Sequence, residues 1–152
     1  MIKSFSDEYR FLSNFWYVDV HLEDDPFTYL STEHAYQAAK TLNLSLRREI
    51  SLAATPSIAK AVGREIALRP DWESVKRLVM LNLLREKFGD KNYILQQKLL
   101  ATGTQKLIEG NHWHDNYWGE CTCMACESEK HHNWLGKLLM LVRLETQIRM
   151  GI

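Results

Sequence analysis

Apolar positions along the chain follow two different periods. Between residues 11 and 31 they partly alternate with polar positions and are rich in aromatic side chains and valine, which is typical of strands. The acidic turn Asp24–Pro26 interrupts this stretch, so it predicts two short strands. Later segments mostly follow helical spacing. We therefore expect a mainly α fold with a small N-terminal β element (α+β), in one compact domain over residues 1–152.

Capping residues and glycines indicate where the predicted helices begin and end. Thr55 is the expected N-cap of one helix, with Pro56 at its first position and Gly63 near its C-cap. Asp71 caps a longer helix that Gly89 ends. The apolar stripe expected on this helix is Val75, Leu78, Val79, Leu81 and Leu84. "NYILQQKLLATG" predicts another helix, and a last one follows Asn133. The expected buried side of the last helix is Leu135, Leu138, Leu139, Val142 and Ile148.

The first helix, in "YLSTEHAYQAAKT", concentrates chemically active side chains. Ser31 or Thr32 is its expected N-cap, and an alanine-rich side offers close packing. Positions 33, 36, 37 and 40 share the other face and carry Glu, Tyr, Gln and Lys. Taken alone, this face is typical of a solvated helix surface with Glu33 near the positive end of the helix dipole. A functional role for the same face is the competing interpretation.

Composition narrows the class of protein. The 152 residues carry 19 Lys and Arg against 19 Asp and Glu, and this balance argues against a long nucleic-acid groove. No apolar run is long enough for a membrane span, and the N-terminus does not resemble a secretory signal. Three cysteines make a disulfide framework unexpected, so we expect a reducing cytoplasm.

The long segment from about Asn111 to His132 has no apolar period, and long irregular segments in compact domains are usually functional. It contains "DNYWG", in which Asp115 and Trp118 are three positions apart. One interpretation is a turn held by local backbone bonds. The other is a carboxylate beside an aromatic platform for a planar heterocycle. With Glu33, Asp115 would supply the two acids that glycoside cleavage commonly uses, although spacing alone does not bring them together.

Cysteines and histidines in the same segment raise the question of a metal. The pattern C-x-C-x2-C-x4-H-H comprises Cys121, Cys123, Cys126, His131 and His132. Structural zinc uses such ligands, but the spacing is irregular and a second cysteine pair is missing. The pattern therefore predicts no ordered metal. The isolated histidines, His21, His112 and His114, are expected to be surface or hydrogen-bonded residues.

Several motifs together resemble the NADAR / YbiA-like N-glycosidase family. In family order they are "FLSNF", "YLSTEHAYQAAK", "AKAVGRE", "WESVK", "REKF", "LLATG", "DNYWG" and "NWLGKLLMLVR", and they cover nearly the whole chain. The similarity to the branch that acts on riboflavin-pathway intermediates is greatest around "WESVK" and "DNYWG". The Cys/His insertion has no counterpart in the family pattern, where this loop is usually shorter and rich in glycine.

This resemblance implies roles for particular residues. It places the catalytic acids at Glu33 and Asp115, and substrate-binding residues at Trp72, Trp118, Asn14 and Lys40.

It also implies hydrolysis of the N–C1' bond of a ribosylaminopyrimidine 5'-phosphate, without a cofactor. The alternatives are removal of ADP-ribose from guanine in nucleic acid, and a module that binds ADP-ribose or a nucleotide without cleaving it. The balanced charge favours a small ribosyl phosphate as the partner.

Overall fold

The computed structural model describes residues 1–152 and contains six α-helices and four short strands. The strands are β1 (Tyr17–His21), β2 (Thr28–Ser31), β3 (Gly110–Asn111) and β4 (Glu120–Cys121). The helices are α1 (Thr32–Ala39), α2 (Leu44–Ser51), α3 (Pro56–Glu65), α4 (Trp72–Lys87), α5 (Tyr93–Ala101) and α6 (Trp134–Met150). The predicted fold class, mainly α with a small N-terminal β element, is confirmed. None of the six helices combines the length and apolar character needed to cross a membrane.

One unit of the chain, Asn14–Asn92, is organised around α1. β1 and β2 form the antiparallel pair that the sequence predicts, and β2 runs directly into α1. α1 packs against α2, α3 and α4, and all eight of its residues are buried. The interpretation of its polar face as a solvated surface is therefore wrong, because Glu33, Tyr36 and Gln37 are enclosed by neighbouring elements.

Helix caps in this unit follow the sequence signals closely but not everywhere. The Ser31 and Thr55 side chains accept hydrogen bonds from the backbone N–H groups three residues later, as expected of N-caps. Gly63 lies near the end of α3 as predicted, three residues before the C-cap Ile66. Asp71 precedes α4 but makes no capping bond, because its carboxylate accepts from the Arg69 guanidinium at 2.6 Å.

The buried side of α4 differs from the predicted stripe. Leu84 is buried as expected, whereas Leu78 is exposed. The buried residues are Trp72, Met80, Leu83, Leu84 and Lys87. The spacing of apolar residues alone could not identify the buried side, because leucine and valine occur around much of this helix.

The second unit comprises Met1–Ser13 and Tyr93–Ile152. It packs α5 against α6, and β3 pairs in parallel with β4. α6 buries Leu135, Leu138, Leu139 and Val142 as predicted. Ile148 is 70% exposed, so its assignment to the buried side is wrong. The segment predicted to be a long loop is divided by β3, β4 and a short 3₁₀ turn at Met124–Cys126.

Candidate active site

The start of α1 places Glu33 in a buried, polar setting. The backbone N–H of Glu33 donates to the Asn14 carbonyl at 3.0 Å, which ties the "SNF" segment to the first turn of the helix. The Glu33 side chain is buried, and its Oε1 accepts a hydrogen bond from Gln37 Nε2 at 2.7 Å. A carboxylate in this position also faces the positive end of the helix dipole. The first turn of the helix and the Gln37 amide therefore hold the Glu33 carboxylate in one orientation.

Aromatic rings connect Glu33's helix to α4. The Tyr36 ring meets the Trp72 ring edge-on, with centroids 5.2 Å apart. Lys40 Nζ lies 5.6 Å from the centroid of the Tyr36 ring, within the range of a cation–π contact. Trp72 is only 4% exposed. This burial favours a supporting role for Trp72, whose ring packs against Tyr36, over an open stacking platform.

Positive charges surround Lys40 in the same unit. Burial lowers the pKa of Lys40, the Glu33 carboxylate opposes this shift, and the nearby charges of Arg64, Lys60 and Lys76 lower it further. We refer to Lys40, Lys60, Arg64 and Lys76 as the Lys40 group. Lys76 Nζ also lies 2.6 Å from the Glu73 carboxylate, and an anion would relieve the repulsion that Lys40 experiences from the other cations. Of these four residues the sequence predicted only Lys40 as a site residue. The other three lie on α3 and α4, within the motifs "AKAVGRE" and "WESVK", and nothing local shows that they approach Lys40.

Buried acceptors without partners lie next to Glu33. Asn14 Oδ1, Thr32 Oγ1 and Gln37 Oε1 are buried and make no hydrogen bond. Such groups are rare, because burying an unpaired polar atom costs about 1–3 kcal/mol. Gly63 is part of the reason for Gln37's position, since a Cβ there would lie 2.0 Å from Gln37 Oε1. Asn14 and Thr32 thus each keep a buried polar oxygen without a hydrogen-bond partner close to Glu33 in the sequence or the fold.

His34, also on α1, has a structural role. Its Nε2 donates to the Ala53 carbonyl at 2.9 Å, and its Nδ1 accepts from the Ser31 hydroxyl at 2.7 Å. Burial lowers the pKa of His34, so the neutral ring is favoured. Both ring nitrogens are occupied, and the histidine joins the start of α1 to the end of α2.

Asp115 and Trp118 belong to the other unit, where they form a tight turn. Asp115 Oδ1 accepts from the backbone N–H groups of Tyr117 at 3.1 Å and Trp118 at 2.9 Å. This is the local bonding that the turn interpretation predicted. It uses Oδ1 and leaves Oδ2 outside the turn. Asp115 as a whole residue is half-buried, and the two backbone hydrogen bonds hold its carboxylate in place.

Trp118 is supported from one side. Its ring meets the Tyr117 ring at 90°, with centroids 4.9 Å apart, and the side chain is half-buried. The residue after Trp118 is glycine because a Cβ at position 119 would lie 2.1 Å from the backbone carbonyl oxygen of Glu109. Glu109 is an acid that sequence reasoning missed, since it lies outside the recognisable motif.

The predicted site residues therefore fall into two groups. Asn14, Glu33, Lys40 and Trp72 are linked by contacts within residues 14–92, and Asp115 and Trp118 are linked within the second unit. The meeting of Glu33 with Asp115 stays a prediction.

Comparison with known proteins agrees with both the fold and the motifs. The NADAR domain model matches residues 2–147, so it spans both units. The chain is 39% identical over 149 residues to N-glycosidase YbiA of Escherichia coli (strain K12), covering 95% of this chain and 86% of the relative. The NMR structure of E. coli YbiA has a TM-score of 0.81 and 37% identity, covering 98% of this chain and 84% of that one.

A further relative carries a more specific name. A riboflavin biosynthesis protein of Vibrio vulnificus (strain YJ016) is 33% identical over 144 residues, which cover 93% of this chain but 36% of the relative. The match over residues 2–147 and the similarity to YbiA along nearly the whole length show that the chain belongs to the NADAR domain family.

Proposed function

We propose that this chain hydrolyses the N–C1' bond of a riboflavin-pathway ribosylaminopyrimidine 5'-phosphate, such as 5-amino-6-ribosylaminouracil 5'-phosphate. The products would be ribose 5-phosphate and the free pyrimidine. The class of reaction, hydrolysis of an N-glycosyl bond, rests on the relatives named N-glycosidase. The substrate rests on the relatives named riboflavin biosynthesis proteins and on the chemistry around Glu33. A reducing cytoplasm is the proposed compartment, in keeping with three free cysteines.

The observation that carries this proposal is the buried Glu33 carboxylate beside the Lys40 group. Cleavage of an N–C1' bond builds positive charge on the sugar and negative charge on the leaving nitrogen. Glu33 would take a proton from the attacking water or give one to the leaving nitrogen, and Gln37 would hold the carboxylate in position. Asp115 would stabilise the positive charge on the sugar or orient the sugar. One water is consumed, and its oxygen ends on C1'.

The Lys40 group would bind the 5'-phosphate of the substrate. Lysine and arginine side chains bind a phosphate through charge-assisted hydrogen bonds. The effect of Lys60, Arg64 and Lys76 on the Lys40 pKa puts each of these three charges within electrostatic reach of Lys40. Asn14 Oδ1, a buried acceptor without a partner, would receive a hydrogen bond from a ribose hydroxyl or a pyrimidine N–H. Trp118 would stack on the heterocycle, with Tyr117 supporting the ring from its edge.

The decisive experiment is a chromatographic assay of three substrates with the full chain. They are the ribosylaminopyrimidine 5'-phosphate, the corresponding nucleoside without phosphate, and DNA carrying ADP-ribosylated guanine. We expect release of ribose 5-phosphate from the first, with kcat/KM at least about 10-fold above the nucleoside, because one charge-assisted contact is worth about 1.5–3 kcal/mol.

Two results would contradict the proposal in different ways. Cleavage of the DNA alone would show that the substrate is ADP-ribosylated guanine, while the reaction would still be hydrolysis of an N-glycosyl bond. Tight binding of ADP-ribose without turnover of any substrate would show that the chain is a binding module and not an enzyme.

A further inference from the structure

Four potential metal ligands converge beside the Asp115 turn. They are His114, Cys121, Cys123 and Cys126, and their ligand atoms all lie within 4.8 Å of one another. His114 Nδ1 lies 3.3 Å from Cys126 Sγ, 3.4 Å from Cys123 Sγ and 3.9 Å from Cys121 Sγ. All three cysteines are free thiols. We call these four residues the Cys3His cluster.

These separations match a tetrahedral zinc site. With Zn–S bonds of about 2.3 Å and a Zn–N bond of about 2.0 Å, tetrahedral angles put nitrogen and sulfur about 3.5 Å apart and two sulfurs about 3.8 Å apart. The three nitrogen–sulfur distances, 3.3, 3.4 and 3.9 Å, lie on both sides of that value. One ion placed among the four atoms would therefore need only small shifts of the side chains.

The backbone is shaped to bring the histidine to the cysteines. Pairing of β3 with β4 sets Asn111 beside Cys121. The Asn111 side chain accepts from the backbone N–H groups of Trp113 and Asp115, and so it curls the chain around His114. His114 itself has φ of +69°, a left-handed conformation that is uncommon for residues other than glycine.

The histidines of the sequence pattern are engaged elsewhere. His131 Nε2 donates to the Cys126 carbonyl at 2.8 Å, and the His132 ring lies 6.2 Å from the Tyr117 ring. The expectation of no ordered metal rested on the irregular spacing and on the missing second cysteine pair. The structure now favours a metal site because His114 supplies a fourth ligand. This histidine lies before the cysteines in the sequence, where no known ligand spacing pointed to it.

We propose that the Cys3His cluster binds one structural zinc ion. Three thiolates and one imidazole are soft ligands typical of zinc, and four protein ligands fill a tetrahedral shell with no open position for water or substrate. His114 precedes Asp115 directly, and Cys121 lies two residues after Gly119. The ion therefore closes the loop that carries Asp115 and Trp118, and it takes no part in the bond cleavage.

Metal analysis of the full chain, purified without chelator, tests this directly. We expect about one zinc per chain, with all three thiols protected from alkylation until the metal is removed. Cobalt(II) added to the metal-free protein should give the intense visible absorption of a tetrahedral cobalt thiolate site, and zinc should displace it. Substoichiometric zinc together with no cobalt spectrum would overturn the proposal, and so would a disulfide in the purified chain.

Variants separate the proposed ligands from their neighbours. His114→Ala and Cys123→Ser should each weaken zinc binding at least about 100-fold, since a structural site depends on its full ligand set. His132→Ala is the matched control, because this histidine belongs to the sequence pattern but not to the cluster, and it should keep its zinc. Equal loss of zinc in His132→Ala and His114→Ala would contradict the ligand assignment. If a cysteine variant fails to fold, the cobalt spectrum and thiol protection of the wild-type chain still decide the outcome.

Discussion

Glu33 and Asp115 are the two acids predicted to act together, yet the molecule holds them in different ways. Glu33 lies on a helix that is buried along its whole length and is packed by three other helices. Asp115 lies in a turn held by its own carboxylate, by Asn111, and by the Cys3His cluster that we propose to bind zinc. Helix packing therefore positions Glu33, whereas local hydrogen bonds and the Cys3His cluster position Asp115.

The difference shows what each region depends on. Burial and helix packing hold Glu33, so the region around it should respond to changes in core packing and in buried charge. Side-chain hydrogen bonds of Asp115 and Asn111 shape the Asp115 turn, so it should respond to loss of those bonds or of metal. Perturbations that act on one region and leave the other unchanged are therefore the sharpest tests.

The largest effect is expected at Glu33. Glu33→Gln retains the size and hydrogen-bonding capacity of the side chain but removes its proton-transfer function, so kcat should fall by about 10²–10⁴-fold. Glu49→Gln, at an exposed position on α2, is the matched control and should be close to wild type. Steady-state turnover of the ribosylaminopyrimidine phosphate measures the change, and the melting temperature checks the fold. Near-normal turnover by Glu33→Gln would remove this residue from the chemistry.

Sequence reasoning worked well where one local rule decides the structure. The caps at Ser31 and Thr55 and the two strands around Asp24–Pro26 follow from short-range preferences. It failed where tertiary packing decides: nothing local shows that the Glu33 face is covered or that Ile148 is exposed. The same limit explains the Cys3His cluster, since His114 reaches the cysteines only through the pairing of β3 with β4.

The next largest effect concerns a buried charge in the helical region. Lys87, at the end of α4, is fully buried, and burial lowers its pKa to about 7. The unfolded chain keeps an ordinary lysine pKa near 10.4, so between these values the unfolded state binds more protons and stability rises with pH. Urea unfolding should show this rise, about 2–4 kcal/mol between pH 7 and 10.

Comparison of two variants isolates the contribution of Lys87. Lys87→Met should lose most of the rise in stability with pH, whereas Lys130→Met, at an exposed position, should retain it. An unchanged slope in Lys87→Met would mean that the lysine stays charged in the folded chain.

A smaller effect is expected from the Lys40 group. Lys40→Met keeps the packing against Tyr36 but removes one charge, so KM for the phosphorylated substrate should rise about 10- to 50-fold. KM for the nucleoside should change little. Because burial lowers the pKa of Lys40, the wild-type KM should begin to rise at a lower pH than an ordinary lysine would give. Arg48→Met, on the exposed side of α2, is the control and should leave both KM values unchanged. An equal rise in KM for the phosphorylated substrate and the nucleoside in Lys40→Met would contradict phosphate binding by Lys40.

The smallest effect separates two tryptophans of the Asp115 loop. Trp118 is half-buried against Tyr117, whereas Trp113 is 52% exposed. Stacking of a base on an aromatic ring is worth about 1–3 kcal/mol, so Trp118→Leu should raise KM about 5- to 20-fold with little change in kcat. Trp113→Leu should leave both constants unchanged. Zinc content is measured in both variants, because Trp113 adjoins His114 and a lost metal would otherwise imitate a lost stacking contact. A drop in kcat alone for Trp118→Leu would indicate that the ring positions Asp115 instead of binding the heterocycle.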